Sequence, residues 1–585
     1  MSLISELRRR NVFRMAALYV VAAWLVMQVG EVIIGLASLP DWVGKALLAI
    51  LAIGFPIALI LAWLYEVTPE GLKPESEVDR SKSITTITGR RMDFIIIAVL
   101  TAALLVFAYD KWWQPETEAG PPAKSVAVLP FVNMTADDEK EYLSDGIAEE
   151  LIGLLAAIPE LTVMSRSSAF ALKGQNIEVP EIGRRLNVAH IVEGSVRSTG
   201  DQLKIHVQLI DSKTDAHLWA ETFEGTMDDV FTVQDEIASR VVDQLKVTLL
   251  GEKPRTIRTH PETYVLLLKA RFLWQQSTID TLREAEVLLR QALALDSKYV
   301  PAWIALSGVY LGLAMAETQS LNEIMDLAEH AARKALELDP ASGAAHARLG
   351  WIAIKRHGDY AKAARHYEQA LAANPPGGLA NSASLVRDLG RFEQAIAIQK
   401  YDLDRDPLNP IGHYNLALTY LFSGQLESAK SSLIKVLTLS PDFAGGHYTL
   451  GLALLFSGDA EDALNEFKKE PDEFWRPKGL CLVYSFLGDE SKVNDLLSQL
   501  EESWGELWPV EIAHVYAYRG EIDKAFEWIS KDKEPNFGVS AEERWMPFWE
   551  DLRGDPRWEE LLQKAGVADS QLNAIKFEVS LATDR

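Results

Sequence analysis

The sequence predicts a multidomain protein with three parts: an N-terminal segment of three transmembrane helices, a small α/β domain, and a C-terminal all-α solenoid of repeated helix pairs. Three observations support this fold class. Apolar runs of membrane-spanning length occupy residues 1–113, strand-like runs alternate with helical patterns over residues 125–250, and a 34-residue repeat fills residues 260–535. Each pattern is confined to its own stretch, so we expect separate domains.

The first 113 residues form the predicted membrane anchor. Three apolar runs cover about residues 15–36, 44–65 and 92–113. A helix of ~20 residues crosses the ~30 Å hydrocarbon core, so the first two runs are long enough and the third is close to that length. A buried core helix is the alternative for the third run. Glu31 lies in the first run and is either a functional acid or a side chain at the outer interface.

Lys and Arg residues flank these runs unequally and set the predicted orientation. Bases precede the first run and occur throughout the 66–93 loop, whereas the first connection has none. The positive-inside rule therefore predicts a multi-pass bacterial inner-membrane protein with a cytoplasmic N-terminus and periplasmic residues 114–585. Small residues near the end of the first run also fit a cleaved signal peptide, which would leave the later residues on the same side. Residues 114–124 contain Pro and Gly and are predicted as a linker.

Residues 125–250 alternate between strand and helix patterns, which is typical of an α/β domain. The domain begins with a buried-strand run, an amphipathic helix and a second strand, and this order predicts a β-α-β unit. Two alternating runs around a Ser-Thr-Gly-Asp turn then predict a hairpin. The predicted strands are 125–131, 161–164, 190–197, 202–210 and 216–223, and the predicted helices are 141–158, 180–186 and 229–249.

Six ordered motifs in this domain resemble the amino-terminal domain of TolB-like proteins. They are SVAVLPFVN (125–133), YLSDGIAEELI (142–152), VEGSVR (192–197), QLID (208–211), LWAETF (218–223) and FTVQDEIA (231–238). The stretches ELRRRNVFR, LPDW and YEVTPEGLK near the N-terminus resemble the membrane segment common in that group. The resemblance implies a bacterial protein in which this domain stands between an N-terminal segment and tetratricopeptide repeats. Some relatives carry a nucleotide cyclase domain, but nothing in this sequence supplies its paired metal-binding aspartates, so cyclase activity is not carried over.

Carboxylates of the α/β domain are its candidates for chemistry. Glu149 and Glu150 lie on the predicted helix 141–158, and Glu193 lies on a predicted strand. Such groups could act as acids or bases, but they also complement a helix dipole or form cross-strand ion pairs. The sequence pairs them with no metal-ligand spacing and no Gly-rich phosphate loop. We therefore expect no catalytic residue, no metal site and no cofactor, and an enzyme with an unrecognised site in this domain is the alternative.

The sequence after residue 260 repeats every 34 residues. Leu416 and Gly424, for example, recur as Leu450 and Gly458. This spacing is the tetratricopeptide pattern, in which each unit is a pair of helices, and about eight units fit in the repeat region. An open stack must cover its last apolar face, so residues 541–566 are predicted as capping helices.

The first helix of each unit lines the concave side of such a stack, and its inward positions form the predicted partner-binding groove. These residues are aromatic or aliphatic: Trp351, Tyr414, Leu418, Leu421, Tyr448, Leu452 and Leu455. An apolar or extended protein segment would suit this surface. Leucines stand where chaperone-binding relatives carry basic and Asn residues, so that class of ligand is not expected. The alternative is that several of these side chains pack between repeats.

The net charge limits the function further. The chain has 83 acidic and 58 basic residues, a formal charge of −25, and the acidic excess lies in residues 112–585. This balance argues against nucleic acid as a partner, because phosphate contacts need bases. The patterns together predict a non-catalytic, membrane-anchored scaffold, with inner-membrane lipid around its spans and a protein partner in its groove. The alternative from another functional class is a signal-transducing regulator that senses a ligand through the α/β domain.

Overall fold

The computed structural model divides the chain into two compact units, Met1–Ala119 and Gly120–Arg585. The structure describes single positions between 12 and 27, and residues 42–68, 71–74, 121–135, 137, 140–158, 160–245, 256–316, 321–373, 378–532 and 541–579.

In the first unit, helix α1 (Trp42–Leu64) is followed by a short hairpin of strands β1 (Tyr65–Thr68) and β2 (Gly71–Pro74). The two strands are antiparallel. Helix α1 coincides with the second predicted apolar run. The predicted run 15–36 lies largely outside the described residues, and the predicted run 92–113 lies wholly outside them.

The structure corrects the predicted localisation. Among the described residues, no helix combines the length and the apolarity that crossing a membrane requires. This finding contradicts a multi-pass inner-membrane protein with a cytoplasmic N-terminus and periplasmic residues 114–585. The prediction rested on the length and apolarity of runs in the sequence, whereas a span needs a helix that combines both. Lys45 and Pro56 interrupt the apolar sequence of α1.

The α/β domain begins the second unit. Its elements in chain order are β3 (Ser125–Val128), β4 (Val132–Asn133), α2 (Glu141–Ala156), β5 (Thr162–Val163), α3 (Arg166–Phe170), α4 (Val179–Leu186), β6 (His190–Thr199), β7 (Gln202–Asp211), β8 (Ala216–Thr226) and α5 (Val230–Gln244). The strands form one mixed sheet in the order β5-β3-β6-β7-β8, and β4 pairs with β6.

The connections of this sheet follow the sequence patterns. Strand β3 is parallel to β5 and to β6, and α2 connects β3 to β5 through the short strand β4, as a β-α-β pattern predicts. Strands β6 and β7 are antiparallel over their full length, from His190 opposite Asp211 to Thr199 opposite Gln202. Gly200 has a φ of 58° in the turn between them, a left-handed conformation that glycine adopts without steric cost.

Helices α2 and α5 contribute to the main core of the sheet. Ile147, Leu151 and Leu155 recur along α2 at helical spacing, and each is at most 1% exposed. The same core includes Tyr264 and Leu268, which belong to the next helix of the chain. The α/β domain and the repeat region therefore share buried apolar side chains.

The helices after residue 260 form eight consecutive pairs in the described part of the chain, as the 34-residue repeat predicts. The pairs are α6 (Pro261–Gln276) and α7 (Ile279–Leu295), α8 (Val300–Ala316) and α9 (Leu321–Leu338), α10 (Gly343–His357) and α11 (Tyr360–Ala372), α12 (Gly378–Asp388) and α13 (Phe392–Leu403), α14 (Pro410–Phe422) and α15 (Leu426–Leu439), α16 (Gly446–Phe456) and α17 (Ala460–Lys469), α18 (Trp475–Leu487) and α19 (Glu490–Trp504), and α20 (Pro509–Tyr518) and α21 (Ile522–Ile529).

Glycines of the repeat serve close packing and tight turns. Gly451 on α16 faces Phe467 on α17, and a Cβ atom at Gly451 would lie 2.5 Å from the Phe467 ring. That ring is fully buried, so it has little room to move. Gly458, in the turn between the two helices, has a φ of 89°, which L-residues rarely adopt.

Residues 541–579 follow the last pair, and we call them the C-terminal segment. Its elements are 3₁₀ turns at Glu543–Trp545 and Pro547–Trp549 and helices α22 (Pro556–Ala565) and α23 (Asp569–Leu572). The spacing of the aromatic residues predicts a helix where the two 3₁₀ turns occur. Pro547 accounts for the difference, because proline lacks an N–H donor and disfavours a helical conformation in the residue before it.

Candidate partner-binding groove

The predicted groove residues lie on helices α10, α14 and α16, the first helices of their pairs, as the repeat register requires. Leu421, Tyr448, Leu452 and Leu455 are buried, and Trp351, Tyr414 and Leu418 are half-buried. Four of the seven side chains are therefore covered within this chain.

Two of the groove tyrosines contribute to packing between successive pairs. The Tyr414 ring lies 5.0 Å from that of Phe443, and its hydroxyl is 3.0 Å from Thr449 Oγ1. The Tyr448 ring lies 4.9 Å from that of Trp475, on the next pair. For these two residues, the geometry fits the alternative in which the side chains pack between repeats.

The C-terminal segment lies against the first helices of the last three pairs. The Phe548 ring is 5.4 Å from Phe456 on α16 and 6.3 Å from Tyr518 on α20. It also stacks on His514 at 4.9 Å. Phe548 is 2% exposed and Trp549 is fully buried, so this contact belongs to the core.

The same segment reaches back to the pairs α10/α11 and α12/α13. The Trp545 ring is 5.4 Å from that of Phe392, and a Cβ atom at Gly390 would lie 2.9 Å from the Trp545 ring. Ala541 N donates a hydrogen bond to the Tyr360 hydroxyl at 3.4 Å. The C-terminal segment thus contacts pairs that lie more than 150 residues before it.

A buried charge cluster joins the C-terminal segment to the stack. Arg387 on α12 forms an ion pair with Glu542, and Lys355 Nζ lies 3.5 Å from the same carboxylate. Asp388, 8% exposed in its side chain, lies 3.6 Å from Arg387 Nε. Burial, reinforced by the Glu542 charge, raises the pKa of Asp388 to about 7. Burial opposes the charge of Glu542 too, but attraction to Arg387 and Lys355 outweighs it and lowers the Glu542 pKa to about 2.

A second buried cluster lies beneath Phe548. Lys478, 2% exposed, forms an ion pair with Glu511 and lies 2.9 Å from His514 Nδ1. Its Nζ is 5.1 Å from the centre of the Trp475 ring and 5.6 Å from that of Phe548. Burial, with the Lys478 charge, lowers the pKa of His514 to about 4. The ammonium is therefore held by a carboxylate and by aromatic faces.

Neither cluster belongs to the groove that the sequence predicts. Lys478 and His514 lie on α18 and α20, in the same first-helix class as the predicted groove residues. The signal that points to them is a charged or titratable residue within a largely apolar helix, for example Lys478 in the run from Trp475 to Leu487. We extended the groove only along apolar positions, so these residues were missed.

The candidate carboxylates of the α/β domain each have a hydrogen-bond or ionic partner. The pairs are Glu149 with Arg166 at 2.8 Å, Glu150 with Arg271 at 2.7 Å, and Glu193 with Gln208 at 3.1 Å. Arg271 belongs to α6, so the Glu150 pair joins the α/β domain to the first repeat. These contacts favour the structural role that the sequence left open for all three acids.

A second contact between the α/β domain and the stack lies at Asp406, in the turn between α13 and α14. Its carboxylate accepts hydrogen bonds from the hydroxyl groups of Ser165, Ser167 and Ser168 and from Ser168 N, the last at 3.1 Å. Asp406 is 8% exposed. Leu408 N donates to Ser168 Oγ at 2.9 Å, so the turn and the serines bond in both directions.

Family models match two parts of the chain. Tetratricopeptide repeat models match residues 325–378, 355–410 and 412–443, which confirms the repeat prediction. Residues 122–240 match the second domain of HilA/YgeH-like transcriptional regulators. The resemblance of this domain to TolB-like proteins stays a prediction.

Individual relatives match parts of the chain. A protein of Rhizobium meliloti (strain 1021) named "Putative adenylate cyclase 3" is 32% identical over 314 residues, which are 53% of this chain and 42% of that protein. The chain thus spans less than half the length of this curated relative. The solved structure of Pseudomonas aeruginosa pilF is 21% identical, covering 34% of this chain and 91% of its own, with a TM-score of 0.28. The structure of YrrB, described as a TPR protein with an unusual peptide-binding site, is 19% identical. It covers 32% of this chain and 95% of the YrrB chain, with a TM-score of 0.24.

Proposed function

We propose that this protein is a non-catalytic interaction scaffold that holds a protein partner in the concave groove of its tetratricopeptide repeats. The observation that carries the proposal is the continuous stack of eight helix pairs, a fold that presents one long surface rather than a reaction centre. Half-buried Leu418 and Trp351 leave apolar surface on that side. Binding energy would come from burying such side chains against a partner segment.

Photo-crosslinking in cells tests this role. A photoreactive amino acid replaces Leu418 in the groove, and in a matched chain it replaces Ile434, an aliphatic residue of similar size that is 57% exposed on α15. We expect a discrete protein adduct from position 418 that position 434 does not give. Identical adduct patterns from both positions, or none from position 418, would count against the groove.

An enzymatic role is a second candidate, because a 32% identical relative is named an adenylate cyclase. Purified chain incubated with ATP and Mg²⁺ provides the direct test, with cyclic AMP as the readout. Glu193→Gln is the informative variant, since the partner of Glu193 is a neutral glutamine and the substitution costs little structure. Cyclic AMP formation that this variant abolishes would overturn the non-catalytic proposal.

A regulatory role for the α/β domain is favoured by the match of residues 122–240 to a transcriptional-regulator domain. The bonds between Asp406 and the serines of α3 would link this domain to the stack. If the domain controls the groove, Asp406→Ala should change the crosslink yield from position 418, and Asp404→Ala on the exposed side of the same turn should not. Equal yields would count against regulation by this route.

A further inference from the structure

The C-terminal segment lies against the repeat stack in the manner of a bound peptide. Between Ala541 and Trp549 it forms only short turns, yet it places one carboxylate and three large aromatic side chains against five of the eight helix pairs. A cap that served only the last pair would have no reason to extend to α10 and α12.

We propose that residues 541–549 are an internal ligand of the groove, and that the external partner is a protein segment with the same chemistry, a carboxylate placed three residues before an aromatic cluster. This inference rests on the proposed scaffold function and specifies its partner and its regulation. Partner binding requires displacement of the internal ligand.

The charge of the groove fits an acidic residue at one position. Glu542 meets two bases, Arg387 and Lys355, and the Arg387 side chain is only 5% exposed. Without Glu542, the one carboxylate left beside Arg387 among the described residues would be that of Asp388, at 3.6 Å. Because a buried cation is unfavourable unless it has a close counter-charge, this site favours an occupant that supplies a carboxylate.

The aromatic positions of the groove fit a Trp and a Phe spaced three residues apart. Gly390 has no side chain where the Trp545 ring lies, and a Cβ atom there would come within 2.9 Å of that ring. Phe548 is enclosed by Phe456, His514 and Tyr518. Buried aromatic anchors of this kind usually carry most of the energy of a peptide interface.

Two unmet hydrogen bonds make the internal ligand replaceable. The indole Nε1 atoms of Trp545 and Trp549 are buried and have no acceptor among the described residues. An N–H donor that is buried without an acceptor loses its hydrogen bond to water and gains none within the protein, which is unfavourable. A partner segment that makes the same contacts and satisfies its own donors would gain hydrogen bonds that residues 541–549 lack, which offsets part of the advantage that these residues have from their covalent attachment.

A labelled peptide tests the exchange on the full-length chain. The probe is a fluorescein-labelled peptide with the sequence of residues 541–552, and its affinity is measured by fluorescence anisotropy. Glu542→Lys places a cation against Arg387 and should release the internal segment, so the peptide should bind this variant at least tenfold more tightly than the unmodified chain. Glu560→Lys is the matched control, because Glu560 is an exposed acid of the same segment, and it should behave as the unmodified chain.

Several outcomes would overturn the inference. They are no binding to a folded Glu542→Lys chain, equal binding to both variants, or unchanged affinity of a peptide carrying Glu542→Gln. If circular dichroism shows that Glu542→Lys does not fold, Trp545→Ala replaces it with the same expectation. Adducts from position 418 without peptide binding would refute the internal ligand and leave the scaffold function standing. Peptide binding without adducts from position 418 of the Glu542→Lys chain, in which the internal segment is released, would instead refute the scaffold function.

Discussion

Removal of the Asp406 carboxylate should loosen the contact between the α/β domain and the stack. In Asp406→Ala, the hydroxyl groups of Ser165, Ser167 and Ser168 and the Ser168 N–H lose their shared acceptor. Ser167 is exposed and can bond to water instead, whereas Ser168 is fully buried and cannot. The two bonds from Ser168 therefore carry most of the effect.

The size of the effect follows from those two bonds. Hydrogen bonds to a charged group contribute roughly 1.5–3 kcal/mol each, so the local opening free energy should fall by about 3–6 kcal/mol. Since every 1.4 kcal/mol is about tenfold, amide protection near Ser168 should fall by about 10²–10⁴-fold.

Hydrogen exchange followed by mass spectrometry measures this locally, without assuming that so large a chain unfolds in one step. Peptides covering residues 165–172 should exchange faster in Asp406→Ala, and those covering α20 should not change. Asp404→Ala, at an exposed acid of the same turn, is the control. Equal protection of residues 165–172 in the two variants would refute the assignment of Asp406 as an interdomain contact.

Three further outcomes are expected. Because the pKa of Asp388 is raised to about 7, the folded chain binds its proton more tightly than the unfolded chain and loses stability as pH rises from about 4 to 7. The difference in melting temperature, Asp388→Asn minus the unmodified chain, should therefore increase as pH rises over that range. A difference that stays constant with pH would contradict the raised pKa of Asp388. Gly451→Ala should destabilise by about 1–3 kcal/mol because its methyl group meets the Phe467 ring, whereas Gly153→Ala, with open space around it, should be neutral or slightly stabilising in the same thermal melts. Arg271→Ala leaves two glutamates of α2 without their shared cation, so the free energy of unfolding should fall by about 3 kcal/mol. Arg271→Lys should recover part of that loss. An unchanged melting temperature of Arg271→Ala would contradict the pairing.

Local sequence patterns predicted the elements well. The 34-residue period placed the helix pairs, and the alternation over residues 125–250 placed the strands, because periodicity reports which side of an element is buried. The predicted localisation was wrong, because no helix among the described residues combines the length and the apolarity that a membrane span requires. Local patterns also could not place Asp406, since a single acid in a turn carries no signal for the serines 240 residues earlier in the chain.

The contact between the C-terminal segment and the stack was beyond prediction for a related reason. Inward positions such as Leu452 are apolar whether they contact a partner, a neighbouring repeat or the end of the same chain. Trp545 and Phe548 indicated a buried face, and the sequence analysis assigned it to the nearest repeat. Only a contact between distant parts of the chain, such as Arg387 with Glu542, distinguishes these possibilities, and charge pairing over such a separation leaves no periodic trace.

The separation between Arg387 and Glu542 also has a consequence during protein synthesis. The two residues are 155 positions apart, so at roughly 5–20 residues per second the ribosome adds Glu542 about 8–30 s after Arg387. Helix pairs form far faster than this, and the first six pairs are complete while the end of the chain is still untranslated. If residues 541–549 are the internal ligand proposed above, the nascent groove is open for several seconds, and during that time a partner at the ribosome would bind it without competition from this segment.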